Sequence, residues 1–590
     1  MIKFIGGTRK IVIMLLLVIV LCVNSSNISQ AESPQVTVPD GSIESSLSPN
    51  ENLVPVGATI ANYDFEIAQD SKLKTWQVSG DKSSSQQATS GYSGQHSLQH
   101  ANSRKDYQVR TEQILTGLEN GYYTLTGWTK NSGGQRAAYL YAKGADKSES
   151  RTALPVSSQW IKVTVRGVQV NDGKMTVGIY SDAKAGNWLN LDFVELVHDN
   201  RPYKLPKGGD VSELTQIEAK GGKFYDRKGK QKDLFQILKE EGHDIVRLRL
   251  YNDPGKGKGD GEYYRPAGFM DKQDILKLAK RAKAAGLQIQ LSFHYSDYWT
   301  NGELQIIPNE WQKQIQNLTT EQQKVDKLYQ LLYDYTTEIM QSMKAQGTTP
   351  EYVSLGNEMQ SGLLYPFGKI EDATSENWDH NWDHLARFLK AGSQAVKAVS
   401  PSTKVIIHLD DAGNYNKYYD FFDQLNLYQV DYDIIGPSYY PYWTKKTVSQ
   451  LVDFLNDIGQ KYEKDIMIME TGFNWNPTLP DNSPGQLVDN GPYPASMSSR
   501  EGQRDFMYEL FNGLKSVNNG RVIGDLYWDP IMIPAPGLGW AIREADDLPG
   551  KNVVSNTTLF DFDGKALPVF DAYRYNTEGV PSTTKQENEQ

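Results

Sequence analysis

Cysteine is nearly absent. The 590 residues hold one, Cys22, inside an apolar run near the N-terminus. Downstream of that run the chain can have no disulfide, no thiolate metal centre and no cysteine nucleophile. It must be held by large cores, with structural calcium as the remaining kind of cross-link. Long hydrophobic runs are equally scarce. Residues 11–23 are the one such stretch, preceded by Lys3, Arg9 and Lys10 and followed by Ser29-Gln30-Ala31. That is short for a membrane span and reads as a cleaved secretion signal over residues 1–31, a retained anchor being the alternative. Leu21 fits a lipidation signal at Cys22 poorly. Positive charge is also in deficit: 61 Lys and Arg stand against 72 Asp and Glu, for a net charge of −11. Signal removal deletes three of the cations and no acid, making the balance more negative. Such a surface argues against a nucleic-acid or anionic-membrane partner and suits a neutral polysaccharide. The expected product is a secreted, extracellular monomer with no membrane attachment once the signal is removed.

Aromatic residues are abundant, at 11% with 12 Trp and 34 Tyr. They fit well-filled cores and sugar stacking equally well. Residues 32–50 are polar, rich in Ser and Pro and without periodicity, as in a linker. Residues 51–200 show short β-rich runs, such as Tyr122-Tyr123-Thr124-Leu125-Thr126-Gly127-Trp128, separated by turn clusters such as Asn131-Ser132-Gly133-Gly134. That pattern predicts an all-β sandwich. Between residues 195 and 210 the pattern changes, and Pro202 and Pro206 suggest an exposed junction. From there to about residue 580 strands and amphipathic helices alternate, and residues 581–590 form a polar tail.

The strand candidates of this second region lie near Asp210 and at 245–250, 287–293, 352–355, 405–409, 434–438, 466–470 and 524–528. Asp271 is a helix N-cap candidate and Gly286 the matching stop. Eight β-α units predict an α/β (β/α)8 TIM barrel. A doubly wound sheet is the alternative fold, but no Gly-rich phosphate loop follows the first strand.

Two glutamates carry the chemistry. Glu358 follows Leu355-Gly356-Asn357, and Glu470 closes Ile466-Met467-Ile468-Met469. Each ends an apolar strand, the fourth and the seventh, so both meet at the C-terminal mouth of one barrel. A facing carboxylate pair there is the machinery of glycoside hydrolysis. Asn357 can hold a sugar hydroxyl or make a local turn bond. Arg247 and Arg249 alternate along the second strand and so share a face. One of them is expected to hold Glu470 ionised, unless both serve ion pairs elsewhere in the barrel. Polar and aromatic residues recur at the other strand ends: His294, Asp297, Trp299, His408, Asp410, Tyr439, Tyr440 and Trp528. A sugar-lined cleft has that composition. His294, His408 and Asp410 also read as metal ligands, without a compact spacing.

Residues from about 208 to 570 closely resemble glycoside hydrolase family 53, the arabinogalactan endo-β-1,4-galactanases. The resemblance rests on Gly209-Asp210-Val211-Ser212, Val246-Arg247-Leu248-Arg249-Leu250, Phe293-His294-Tyr295-Ser296-Asp297-Tyr298-Trp299, Gly356-Asn357-Glu358, His408-Leu409-Asp410 and Glu470-Thr471. It implies a clan A barrel and a retaining mechanism, with Glu358 as acid/base and Glu470 as nucleophile. It also implies β-1,4-galactan and galacto-oligosaccharides as partners, no cofactor for catalysis, and calcium near the late loops, where Asp547 and Asn552 are candidates. Tyr365 stands before Pro366 where the family usually carries Trp. The alternatives are action on another β-1,4-glycan such as mannan or xylan, or a non-catalytic polysaccharide-binding protein. The N-terminal sandwich resembles the galactan-binding type of carbohydrate-binding module. That likeness suggests Asn131, Gln135, Arg136 and Trp188 for sugar contact and Glu66 and Asp192 for a structural calcium. Trp128 is expected to pack in the core.

Overall fold

The computed structural model describes residues 60–69, 72–144, 149–199, 203–255, 263–370, 378–543, 548–549 and 551–575. The expected signal, the linker and the polar tail lie outside the described residues, as does Asp547.

The first part is a sandwich of two five-stranded antiparallel sheets. One runs in the order Ser157–Val170, Gly121–Asn131, Trp188–Asp199, Ser97–Ala101, Ser85–Ala88. The other runs Gln77–Gly80, Tyr107–Thr116, Lys174–Ala183, Ala137–Lys143, Glu149–Ala153. Period-two patterning builds it: Tyr107, Val109, Thr111, Gln113 and Leu115 point inward while their neighbours are more exposed. Leu98, Leu125, Val165, Val177, Ile179 and Leu191 fill the space between the sheets.

The second part is a closed barrel of eight parallel strands. These are β1 (Lys207–Asp210), β2 (Ile245–Leu250), β3 (Gln288–Phe293), β4 (Tyr352–Leu355), β5 (Lys404–Leu409), β6 (Ile434–Tyr439), β7 (Asp465–Thr471) and β8 (Val522–Tyr527). Helices cover the outside. Three matter here: α1 (Lys272–Ala284), α2 (Glu321–Ala345) and α3 (Arg500–Ser516). Asp271 caps α1 by accepting the Asp274 amide, and Gly286 follows it at a φ of +73°. Val325, Leu328, Leu332, Ile339 and Met343 are the buried stripe of α2.

Of the junction expected between residues 195 and 210, residues 200–202, Pro202 among them, lie outside the described residues. The last sandwich strand ends at Asp199 and β1 begins at Lys207. The sandwich is docked on α3. Strand Ser157–Val170 lies at a sheet edge, where its outward N–H and C=O groups lack a neighbouring strand. Asn512 of α3 supplies partners for two of them: its Oδ1 accepts from the Thr164 amide at 3.0 Å and its Nδ2 donates to the Lys162 carbonyl at 2.8 Å. Arg166 donates to the Lys515 and Val517 carbonyls at the end of α3. Buried backbone groups need such partners, which explains an asparagine on a helix face.

Candidate active site

The mouth of the barrel is an open cleft of about 480 Å³, lined by Glu358, Glu470, Ser438, Tyr440, Asp410 and the three tryptophans Trp299, Trp528 and Trp540 among others. Glu470 is the sixth residue of β7, and Glu358 lies just past β4. Glu358 adopts a φ of +45°, as does the strand-end Asp529 at +43°. A non-glycine residue pays strain for that region, and such residues cluster where side chains must be aimed.

A carboxylate oxygen of Glu358, one of Glu470 and a ring nitrogen of His408 all lie within 4.8 Å of one another. Carboxyl groups this close fall short of the separation of about 6.5–9.5 Å at which a nucleophilic water fits between one carboxylate and the sugar ring. They match the spacing of about 5–5.5 Å at which one carboxylate attacks the anomeric carbon directly.

The surroundings separate the two roles. Burial pushes both carboxyl groups above the ordinary range. Glu358 goes well above it, because the negative charge of Glu470 and of Asp410 adds to the burial. For Glu470 the Arg247 guanidinium, 2.6 Å away, and the Tyr440 hydroxyl, 2.9 Å away, oppose the burial. The sequence-based expectation that an arginine would depress the Glu470 pKa is therefore right in the sign of the arginine's effect. The net shift is nevertheless upward, because burial is the larger cause. Glu358 is thereby raised further than Glu470, whose ionised form the arginine and the tyrosine favour.

Arg247 organises this site. It is fully buried and donates to Glu470, to the Met469 carbonyl at 3.1 Å, to Asn357 Oδ1 at 2.7 Å and to Ser292 at 3.1 Å. Arg249 lies on the same face and shares Asp210 with Arg247, which is 3.5 Å from that carboxylate. It pairs with Asp210 at 3.0 Å and Asp529 at 2.7 Å, and its guanidinium lies 4.5 Å from the centre of the Trp528 ring. Asn357 is fully buried, with Oδ1 held by Arg247 and Nδ2 donated to the Thr300 carbonyl.

His408 and His294 are buried, and burial pushes both well below the ordinary histidine range, so they are neutral. His408 shares a hydrogen bond with Ser438, whose hydroxyl donates to Glu358 at 2.8 Å. The metal-ligand reading of the histidines fits poorly. Of the expected trio only His408 joins a compact acid cluster, and Arg247 already supplies the cation there.

Two expected cleft residues sit elsewhere. Asp297 is buried with both oxygens taken by backbone amides, of Asp253 and Asn309. Tyr439 is buried and donates to the Lys446 carbonyl at 2.9 Å. Both brace loops, because polar groups buried under a loop must be satisfied there. The site also contains residues that reading the sequence did not single out. Ser438 bridges His408 and Glu358. Lys417 pairs with Asp410 at 2.6 Å on the cleft wall, and Gln486 lines the rim. Strand-end position is the signal that could have found Ser438. Lys417 lies on a helix, where no local signal marks it.

The sandwich residues expected to bind sugar do come together, but as structural supports. Asn131 is buried, donating to the Pro155 carbonyl and accepting from the Gly133 amide. Gln135 donates to the Trp188 carbonyl, and Arg136 pairs with Asp182 and Asp106. With Arg504, Asp505 and Tyr508 of α3 the first three line a gap of about 40 Å³, too narrow for a pyranose ring. Trp128, expected in the core, instead points outward. Tyr92, 44% exposed, stacks on it at 3.9 Å with Trp160 edge-on, and Lys130 lies over Trp160.

The carboxylates of Glu66 and Asp192 accept backbone N–H groups, from Gln95 and His96 and from Tyr92, Ser93 and Phe193 respectively. Oxygens so engaged do not fit a calcium ion. In the late loops Asn552 and Asn556 each leave a buried side-chain oxygen without a hydrogen-bond partner, which does fit an oxygen-seeking cation.

A (β/α)8 barrel with two convergent strand-end glutamates, one held by an arginine, defines a glycoside hydrolase. The Glycosyl hydrolase family 53 profile matches residues 206–573, and the chain belongs to that family. It is 32% identical over 381 residues to the arabinogalactan endo-β-1,4-galactanase of Cellvibrio japonicus, covering 63% of this chain and 91% of the relative. It is 29% identical to the endo-β-1,4-galactanase of Bacillus subtilis, covering 63% and 86%. Among solved structures it resembles the GH53 catalytic domain of Ignisphaera aggregans, with a TM-score of 0.56 and 32% identity over 64% of this chain and 98% of that one. No helix among the described residues is long and apolar enough to cross a membrane.

Proposed function

We propose that the protein is a secreted retaining endo-β-1,4-galactanase that cleaves galactan by double displacement. The closeness of Glu358 and Glu470 within 4.8 Å carries the mechanism. Glu470 attacks the anomeric carbon while Glu358 gives its proton to the departing glycosidic oxygen. A covalent glycosyl-enzyme results. Glu358, now ionised, takes a proton from water, which displaces Glu470 and returns both groups to their starting states. The galactan specificity rests on the family and on the named activities of its relatives. Secretion rests on the N-terminal run of residues 1–31. Reducing-end release on galactan, mannan and xylan tests the reading: galactan is expected to be turned over fastest, and greater activity on mannan or xylan overturns the substrate assignment.

The sandwich is proposed to bind the same polymer, with the exposed Tyr92 and the half-buried Trp128 and Trp160 as its aromatic surface. A structural calcium is proposed in the late loops near Asn552 and Asn556. These residues would supply neutral oxygen ligands that fix loop geometry, outside the reaction itself.

A further inference from the structure

The tryptophans of the cleft stand on a buried ionic lattice that meets the reaction centre at Asp210, which lies 3.5 Å from Arg247 and 3.0 Å from Arg249. Its outermost member is Arg265, which lies between β2 and α1 and is fully buried. Just before it, Tyr263–Tyr264 pairs antiparallel with Ile542–Arg543 from the segment after β8, Tyr264 opposite Ile542. Arg265 closes this junction. Its Nη1 donates to the Trp540 carbonyl at 2.6 Å, and its Nη2 donates to Glu213. The guanidinium carbon lies 5.2 Å from the centre of the Trp540 ring and 6.0 Å from that of Trp299. Trp299 in turn meets Trp540 edge-on at 4.9 Å and Trp528 at 5.5 Å. All three rings line the cleft. Glu213 is 3.6 Å from Arg249, the cation beneath Trp528.

Burying a guanidinium is expensive, so its geometry must be needed. A fork that binds a carbonyl and a carboxylate while its guanidinium lies over three rings, Tyr251 at 5.5 Å being the third, fixes a position and an orientation together. Lysine cannot do this, since an ammonium is a point charge on a flexible stem. Aromatic faces bind sugars only when their tilt matches the pyranose C–H surface, so tilt decides affinity.

We propose that Arg265 is a positioning residue for substrate: it sets the Trp299–Trp540 wall and so how tightly the sugar chain is held, without touching the reacting atoms. The proposal rests on the galactan reading. Steady-state hydrolysis of soluble galactan by the full chain is compared for wild type, Arg265→Lys, Arg265→Gln, Trp540→Ala and Arg265→Lys combined with Trp540→Ala. Wild-type turnover tests the substrate by itself, and the ratios test Arg265. A wild type active only on another β-1,4-glycan removes the substrate reading, and the same ratios are then taken on that glycan. Expected is a KM raised about fivefold to tenfold in Arg265→Lys with kcat lowered about twofold or less. The double variant should be no worse than Trp540→Ala alone, because the cation acts through that ring. A fall in kcat at constant KM, additive losses in the double variant, or an unchanged KM in Trp540→Ala overturns the proposal. Failure of both Arg265→Lys and Arg265→Gln to fold assigns the residue to stability alone and overturns it too.

Discussion

At the scale of single residues, the two glutamates share a chemistry and differ in neighbours. Glu358→Gln and Glu470→Gln are each expected to cost at least about 10²–10⁴-fold in galactan turnover while the fold persists, the range that a positioned acid/base contributes. Activity within about threefold of wild type in either variant would remove that residue from the mechanism. The raised pKa of Glu358 also bears on stability. A carboxyl whose folded pKa exceeds its unfolded value binds its proton more tightly when folded. The stability it contributes is therefore complete below the unfolded pKa, near 4.5, and is lost as pH rises towards the folded value. Glutamine cannot ionise. Glu358→Gln should thus melt higher than wild type, by a margin that grows as pH rises above the unfolded value, near 4.5. A constant margin above that value would show that Glu358 is not the group whose ionisation is being avoided. Ser438 donates to Glu358 and so favours its charged form. Ser438→Ala should move the alkaline limb of the activity profile upward; a downward shift would reverse the assigned donor.

At the scale of elements, the barrel strands aim residues by alternation and by the turn at each C-terminal end. Arg247 reaches Glu470, whereas Arg249, two residues on, reaches Asp529. One strand therefore serves both the reaction centre and the lattice beneath the tryptophans. The helix α3 has a comparable double duty. Its buried stripe, including Phe506, Leu510 and Leu514, packs on the barrel, and Asn512 completes the edge of the sandwich. Asn512→Ala leaves the Thr164 amide and the Lys162 carbonyl unsatisfied. It should cost about 1–3 kcal/mol, read as a lower denaturation midpoint of the full chain with kcat on galactan oligomers retained. An unchanged midpoint would mean that water replaces the amide at no cost.

At the scale of the whole molecule, the docked sandwich argues against a freely swinging tether. A barrel produced alone from residue 203 onward is expected to melt below the full chain, because the face of α3 around Asn512 and Lys515 loses its cover. Equal melting would show the interface to be energetically idle. If the sandwich holds polymer, its fixed attachment presents that polymer in one orientation to the barrel, raising local concentration without new chemistry. Tyr92→Ala in the full chain should then weaken retention on insoluble galactan-rich material while leaving turnover of short oligomers alone; retention equal to wild type would move the binding surface elsewhere.

Much of this was legible in the sequence because it is local. The apolar runs at 245–250 and 352–355 are the observed strands β2 and β4, and the glutamates at strand ends announce the site, since strand polarity decides where a barrel opens. Asp271 and Gly286 mark the limits of a helix because capping is a matter of a few adjacent residues. The tertiary structure decided what depends on partners distant in sequence. Asp297 and Tyr439 look like cleft residues by position, yet they hold loop backbone that only the folded chain brings beside them. Asn131 and Arg136 look like sugar ligands, yet turn bonds and ion pairs already occupy them. Trp128 lies on the outer face, half-buried under Tyr92, because period two sets only which residues share a face, while the packing of the sheets chooses the face that forms the core. The same holds for Arg265: nothing near it in sequence marks it, and its place under two tryptophans exists only where the loops after β2 and β8 meet.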